Sequence, residues 1–211
     1  MKVEEKEILN GDKKLKFTHI QNNSNKVCFM FSGAGYTYDK PLFYYSTMKL
    51  IEDKVDIIHV HYNYSNNVLN LPITKLAKVI TSDVYPIIED VLARHEYEGV
   101  VFLGKSLGTI PIIDQLLAEF SESKFILLTP LLKYDVFMKI LLESPRDLLV
   151  ITGKSDHHYF VEKVEALDQK ENIMVKEFEG ANHYLEVEPF NTIGSISILS
   201  ETIHAISKYI K

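Results

Sequence analysis

The chain has 211 residues, a formal net charge of −6 and a hydrophobic fraction of 46%. That fraction supplies a substantial core and excludes wholesale disorder, and the length fits one domain over residues 1–211. The acidic balance, with the lysines of KVEEKE and GDKKLKF mixed among acids and apolar residues, excludes the basic face of a nucleic-acid-binding protein. No run approaches the roughly 20 apolar residues of a membrane span. Met1–Asn10 lacks the apolar core of a secretory signal, so the expectation is a soluble, cytoplasmic protein with no membrane or nucleic-acid partner. The single cysteine, Cys28, sits in the apolar run KVCFMF and reads as a small buried hydrophobe.

Along the chain, VEEKEIL and KKLKFTHI flank Asn10-Gly11-Asp12, a hairpin signal because glycine accepts positive φ. KVCFMFSG, from Lys26, is nearly all apolar, as a strand covered on both faces would be. A helix follows Pro41, and Val55–Tyr62 is another strand. Residues 73–95 carry apolar side chains at helical spacing, with Pro86 expected to kink or break the helix. GVVFLG is the next strand, and a helix is expected from Ser106. KFILLTP, DLLVITG and ENIMVKEFEG are further strands, and residues 191–210 close the chain as a helix. This alternation predicts an α/β fold with a mostly parallel central sheet, an N-terminal antiparallel hairpin and helices on both faces. Residues 129–150 leave room for one helix between two strands and none for a lid domain.

Gly104-Lys105-Ser106-Leu107-Gly108 lies where a strand turns into a helix. A serine on such a turn must adopt a strained backbone to point its Oγ out of the sheet, and glycines two residues either side remove the side chains that would collide. The following helix aims free N–H groups at the same place, so Leu107 N–H is one donor for a developing oxyanion. The competing reading is a serine that only caps a helix. A nucleophilic serine needs a base, and the base an orienting acid. Both belong at the C-terminal ends of later strands. Asp156, in TGKSDHHY, and His183, in GANHY, each follow a strand, in the order Ser106, Asp156, His183 expected for this architecture.

With these motifs and the segment FMFSGAGYTYDKP, the sequence resembles the α/β-hydrolase superfamily over essentially its whole length, at the small, lidless end that includes esterases and dienelactone hydrolases. The latter carry a cysteine nucleophile where this chain has Ser106, so their substrate is not carried over. In many such hydrolases the loop after the third strand begins His-Gly and supplies a second oxyanion-hole N–H. Here Ser32 and Gly33 take those places, which implies Ala34 as the donor, with Gly35 or Tyr36 as alternatives. The resemblance implies acyl transfer to water without metal or organic cofactor, on a small-molecule acyl substrate: a small or medium ester or thioester. A peptidase or acyltransferase of the same fold, or a non-catalytic binding module, are the alternatives.

Other residues carry weaker readings. Asp135 also follows a strand and is the rival acid, or else a helix N-terminal residue. His157 and His158 adjoin Asp156, but adjacent residues on a turn are expected to point apart, which argues against a metal pair. His59-x-His61 on one strand face is half a zinc site without an evident partner, and reads as a buried or rim pair. Tyr36 and Tyr38 either pack or line an acyl or alcohol pocket beside Gly35. Gly33-Ala34-Gly35 completes no phosphate-binding motif. Lys105, inside the elbow, is expected near the surface, where it would favour an anionic substrate.

Overall fold

In the computed structural model, which describes residues 1–211, Gly11 makes its turn at φ +59°. β1 (Lys2–Asn10) folds back antiparallel on β2 (Lys13–Gln21), with Asn10 paired to Lys13. β3 (Lys26–Phe31), β4 (Asp56–His61), β5 (Gly99–Lys105), β6 (Lys124–Leu128), β7 (Leu148–Gly153) and β8 (Ile173–Phe178) complete an eight-stranded sheet of order β1-β2-β4-β3-β5-β6-β7-β8. β2 is antiparallel to both its neighbours; every other pairing is parallel.

The central strands are apolar throughout because both of their faces are covered. In β3, Val27, Phe29 and Phe31 enter one core layer while Cys28 and Met30 enter the other. α1 (Pro41–Glu52) and α7 (Thr192–Ile210) pack the second layer. α3 (Ile73–Arg94), α5 (Asp135–Glu143) and α6 (Val161–Asp168) pack the first. α2 (Asn66–Leu69) is a single turn whose Val68 and Leu69 lie half-buried against the first layer. Phe102 on β5 sits between Phe29 and Phe125, each 5.6 Å away between ring centroids. These rings form the apolar floor beneath the turn after β5, and Phe102→Ala would cost about 3–5 kcal/mol. Burial pushes the Cys28 thiol far above its ordinary range. No helix is long and apolar enough to cross a membrane.

The strand order reverses at β3, which lies between β4 and β5. In open parallel sheets the crevice forms outside the strand ends at such a switch. The loop after β3 and the turn after β5 meet there. Between β6 and β7 the chain holds only α5, with no inserted lid.

Three expectations need correction. α3 runs unbroken through Pro86. A proline removes one N–H and frees the carbonyl four residues earlier, here that of Ser82. The Asn10 side-chain amide, 72 positions away, donates to that carbonyl at 3.1 Å. The helix after Ser106 is irregular: a 3-10 turn over Ser106–Thr109, a π-helical stretch over Ile112–Leu116, then the single turn α4 (Leu117–Glu119). Lastly, α2 and α6 are helices absent from the elements read in the sequence; the first residues of α6 follow the acid turn without a capping signal.

Candidate active site

The turn after β5 is sharp enough to need both of its glycines. A Cβ on Gly104 would stand 2.3 Å from Gly108 O, and one on Gly108 would stand 2.0 Å from Phe31 O. Between them Ser106 holds φ +52°, a left-handed conformation that is costly for any residue but glycine. Thr109 Oγ1 donates to the Ser106 carbonyl at 2.7 Å and braces the turn. Gly33, in the loop after β3, lies alongside it: a Cβ there would be 3.5 Å from Ser106 Cβ, at ordinary contact. Ala34 and Gly35, beside it, are exposed at the crevice. Leu107 is the first residue after Ser106, where helical N–H groups have no partner within their own helix.

Gly153 ends β7, and a Cβ on it would stand 2.2 Å from Ala181 O. The absence of that side chain lets the Asp156 turn lie on the His183 turn, joined by Ser155 N–H to Ala181 O at 2.9 Å. Asp156 Oδ1 accepts from the His158 N–H at 2.8 Å. Its Oδ2 lies 2.7 Å from His183 Nδ1, and His183 Nε2 lies 2.8 Å from Ser106 Oγ. With Asp156 ionised, Nδ1 carries the proton and Nε2 faces the hydroxyl with a lone pair. Burial of Asp156 opposes its ionisation, but the hydrogen bonds from His183 and the His158 N–H outweigh it and hold the carboxyl below its usual range. Asp135 is elsewhere: its side chain is 93% exposed and paired with Lys163 at 2.6 Å.

The His183 turn is shaped by Asn182. Asn182 Oδ1 accepts from Tyr184 N–H at 2.8 Å and Glu186 N–H at 3.1 Å, while its own N–H donates to Glu186 O at 2.9 Å. An asparagine immediately before the histidine is itself a turn signal, visible in the sequence.

Lys105 is not near the surface. β5 extends through it, and period-two alternation puts its side chain on the face of Val101 and Leu103, 1% exposed. Its Nζ donates to His183 O at 2.8 Å and to Thr129 Oγ1 at 3.1 Å, and sits 4.7 Å from the Tyr36 ring centroid. Burial pulls this ammonium down to about 8, against the attraction of Asp156 and Glu186. Tyr36 stacks on Tyr184 at 5.8 Å, and both line a groove of about 650 Å³ together with Leu42, Val187, Ile196 and Leu199. Neither Ser106 nor His183 lines it. Tyr38 is absent too: its hydroxyl lies 2.6 Å from Met30 O and 2.8 Å from Val60 O and shares its one proton between them, and its ring stacks on His59 at 4.0 Å. It fastens the loop to the sheet, the packing role of the two that the sequence left open for it.

The remaining histidines divide. His59 and His61 each spend Nε2 on a different threonine, Thr47 at 2.9 Å and Thr18 at 2.8 Å. His157 and His158 do not point apart; their ring centroids are 3.9 Å from each other and each is 5.1 Å from that of His183.

The same arrangement of strands is found in solved structures. An α/β serine hydrolase without lid from Xanthomonas campestris superposes with a TM-score of 0.75 at 13% identity, covering 99% of this chain and 95% of that one. The chain has the α/β-hydrolase fold. A dienelactone hydrolase from Anabaena variabilis shares the α/β-hydrolase fold with it at TM-score 0.72 and 16% identity, covering 99% and 96%. The Pyrococcus furiosus esterase Pf2001 does so at 0.72 and 15%, covering 99% and 91%. No family model matches the sequence, and no curated protein matches it. The likeness is thus one of backbone, and what the α/β-hydrolase fold does here rests on the side chains.

Proposed function

We propose that the protein is a serine hydrolase of small or medium carboxylic esters or thioesters, with Ser106 as nucleophile, His183 as base and Asp156 as orienting acid. One observation carries the reading: an unbroken hydrogen-bonded chain from Asp156 through both nitrogens of His183 to Ser106 Oγ. The structural neighbours named as an esterase and a serine hydrolase support the same class.

In this mechanism Ser106 Oγ attacks the substrate carbonyl and His183 Nε2 takes its proton. Asp156 stabilises the imidazolium and fixes its tautomer. The N–H groups of Leu107 and Ala34 bind the oxyanion, each donor supplying about 3–4 kcal/mol. His183 then protonates the leaving alcohol or thiol. A water, deprotonated by His183, attacks the acyl-enzyme and releases the acid, restoring Ser106. None of these steps draws on a metal or organic cofactor. Tyr36 and the groove beyond it supply the apolar surface for the acyl or alcohol group.

A fluorophosphonate probe tests this. Mass spectrometry is expected to find one adduct, on Ser106, absent from His183→Ala. The protein is also expected to turn over p-nitrophenyl acetate, and Asp156→Asn to lower kcat by about 10⁴ while Asp135→Asn leaves it unchanged. An unlabelled Ser106 together with no turnover of acyl esters or thioesters would replace the proposal with a binding module on the same fold.

A further inference from the structure

Three imidazoles crowd the rim of the site, and the reaction proposed above uses one. A ring nitrogen from each of His157, His158 and His183 lies within 4.8 Å of those of the other two. His158 is 6% exposed, and its Nδ1 is buried without any hydrogen-bond partner. A buried polar atom left unpaired loses its hydration with nothing in return, so this nitrogen has an uncommitted lone pair or proton. His157 is 69% exposed, which gives an ion a way in, and its Nδ1 lies 3.6 Å from Asp156 Oδ1. Asp156 fixes the group from behind, accepting from His158 N–H and holding His183 Nδ1. A carboxylate behind a ligating imidazole is the usual support of a metal site.

We propose that His157, His158 and His183 bind one divalent transition-metal ion of the zinc class, and that its binding shuts off the serine nucleophile. Three imidazoles suit Zn²⁺ or Cu²⁺ over Mg²⁺ or Ca²⁺, which take oxygen ligands. Tetrahedral Zn²⁺ at about 2.0–2.1 Å from each nitrogen needs the donors about 3.4 Å apart. Donors within 4.8 Å of one another need to close by at most about 1.4 Å, and His157, the most exposed of the three, has the most room to adjust. A water or hydroxide fills the fourth position. The inhibitory effect follows from His183 being shared. Its Nδ1 is held by Asp156 and its Nε2 faces Ser106, so whichever nitrogen takes the metal, one link of the Asp156–His183–Ser106 chain is lost. The metal is a Lewis acid competing with a proton for the same lone pair, and the base is out of use while it stays.

The binding half of this proposal stands apart from the hydrolase reading; the inhibition half rests on it. Calorimetric titration with ZnCl₂ at pH 7.5 is expected to give one ion per chain, with affinity lowered by roughly tenfold or more in His157→Ala and in His183→Gln. Ser106→Ala, which frees His183 of its hydroxyl partner, is expected to bind at least as tightly as the parent chain. In p-nitrophenyl acetate hydrolysis Zn²⁺ is expected to inhibit, EDTA to restore the rate, and His157→Ala to raise the inhibitory concentration by the factor seen in calorimetry. No saturable heat, or a Zn²⁺ affinity indifferent to His157→Ala, overturns the site. If the parent chain proves inactive on every ester, the calorimetric arm still decides the metal site, and only the hydrolase reading falls.

Discussion

Lys105 Nζ donates to the main-chain carbonyl of His183 at 2.8 Å, so a residue of the nucleophile turn holds the loop that carries its base. Ser106 and His183 are 77 positions apart. Their alignment depends on that cross-link as well as on their own hydrogen bond. A hydrogen bond to a charged group is worth about 1.5–3 kcal/mol. Lys105→Met is therefore expected to lower kcat about tenfold or more while leaving the fold intact. Stability moves the other way. Burial of Lys105 disfavours its charged form, so the folded chain binds fewer protons here than the unfolded one between pH about 8 and 10.5. The parent protein gains stability on the Met variant, at up to roughly 1.4 kcal/mol per pH unit, as pH rises through that window. Denaturant midpoints at pH 7.5 and 9.5 measure it. A constant gap between the two proteins would show that the buried ammonium costs nothing.

Ser106 keeps its left-handed backbone at φ +52° because Oγ must project toward His183. Glycine removes that strain and alanine does not, while both delete the hydroxyl. Ser106→Gly is expected to exceed Ser106→Ala in unfolding free energy by about 1 kcal/mol, with both inactive. Thermal or urea unfolding of the pair measures the difference. An equal or reversed order means that the turn is not strained.

Gly153→Ala would drive a Cβ to 2.2 Å from Ala181 O, backbone against backbone. The collision pushes the Asp156 turn off the His183 turn. The expected result is a loss of about 3 kcal/mol of stability, with kcat reduced far more than KM is raised. A variant of unchanged activity would mean that the two turns are not braced on each other.

Acid should destabilise the protein well above the ordinary carboxylate range. Burial pulls the His19 imidazole down to about 4, with Lys6 and His95 adding to it, and pulls that of His59 down to about 3, with His61 adding. Unfolded, both take up protons below pH about 6.5. Folded, they stay neutral until far lower. The unfolded state therefore binds more protons as pH falls from 6.5 toward 4, and stability is lost at up to roughly 1.4 kcal/mol per unit for each. The loss is complete below the folded values. Urea midpoints at pH 7.5 and 5 read it out, and His59→Gln is expected to flatten the slope. A level profile for the parent chain would contradict neutral burial.

Much of this molecule is legible in one dimension. Asn10-Gly11 announces the hairpin, the two-sided apolar runs announce the central strands, and the glycines at 104 and 108 announce the turn, because each feature answers to a constraint within a few residues. What stayed hidden depends on distant partners. Pro86 breaks no helix because Asn10 attends to the carbonyl it frees. Lys105 reads as a surface lysine in one dimension because its lining, Thr129, Tyr36 and Tyr184, comes from three other segments. Yet strand alternation from Val101 through Leu103 already pointed it inward. The meeting of His157, His158 and His183 needed the tight turn after Asp156, whose backbone no local rule specifies.

β1 forms one border of the sheet, and none of its residues is buried. Its charged side chains pair as Lys2–Glu4 and Lys6–Glu4 along the strand, and Glu7 pairs with Lys14 of β2 across the hairpin. A bare border of main-chain donors and acceptors would invite a strand from another molecule. β1 is thus a hydrated guard rail: apart from Ile8, which leans on the core, it stays in water so that β2, with Leu15 and Phe17 turned inward, never presents a sticky flank. A chain trimmed of this ribbon should clump at concentrations where the intact protein stays dispersed.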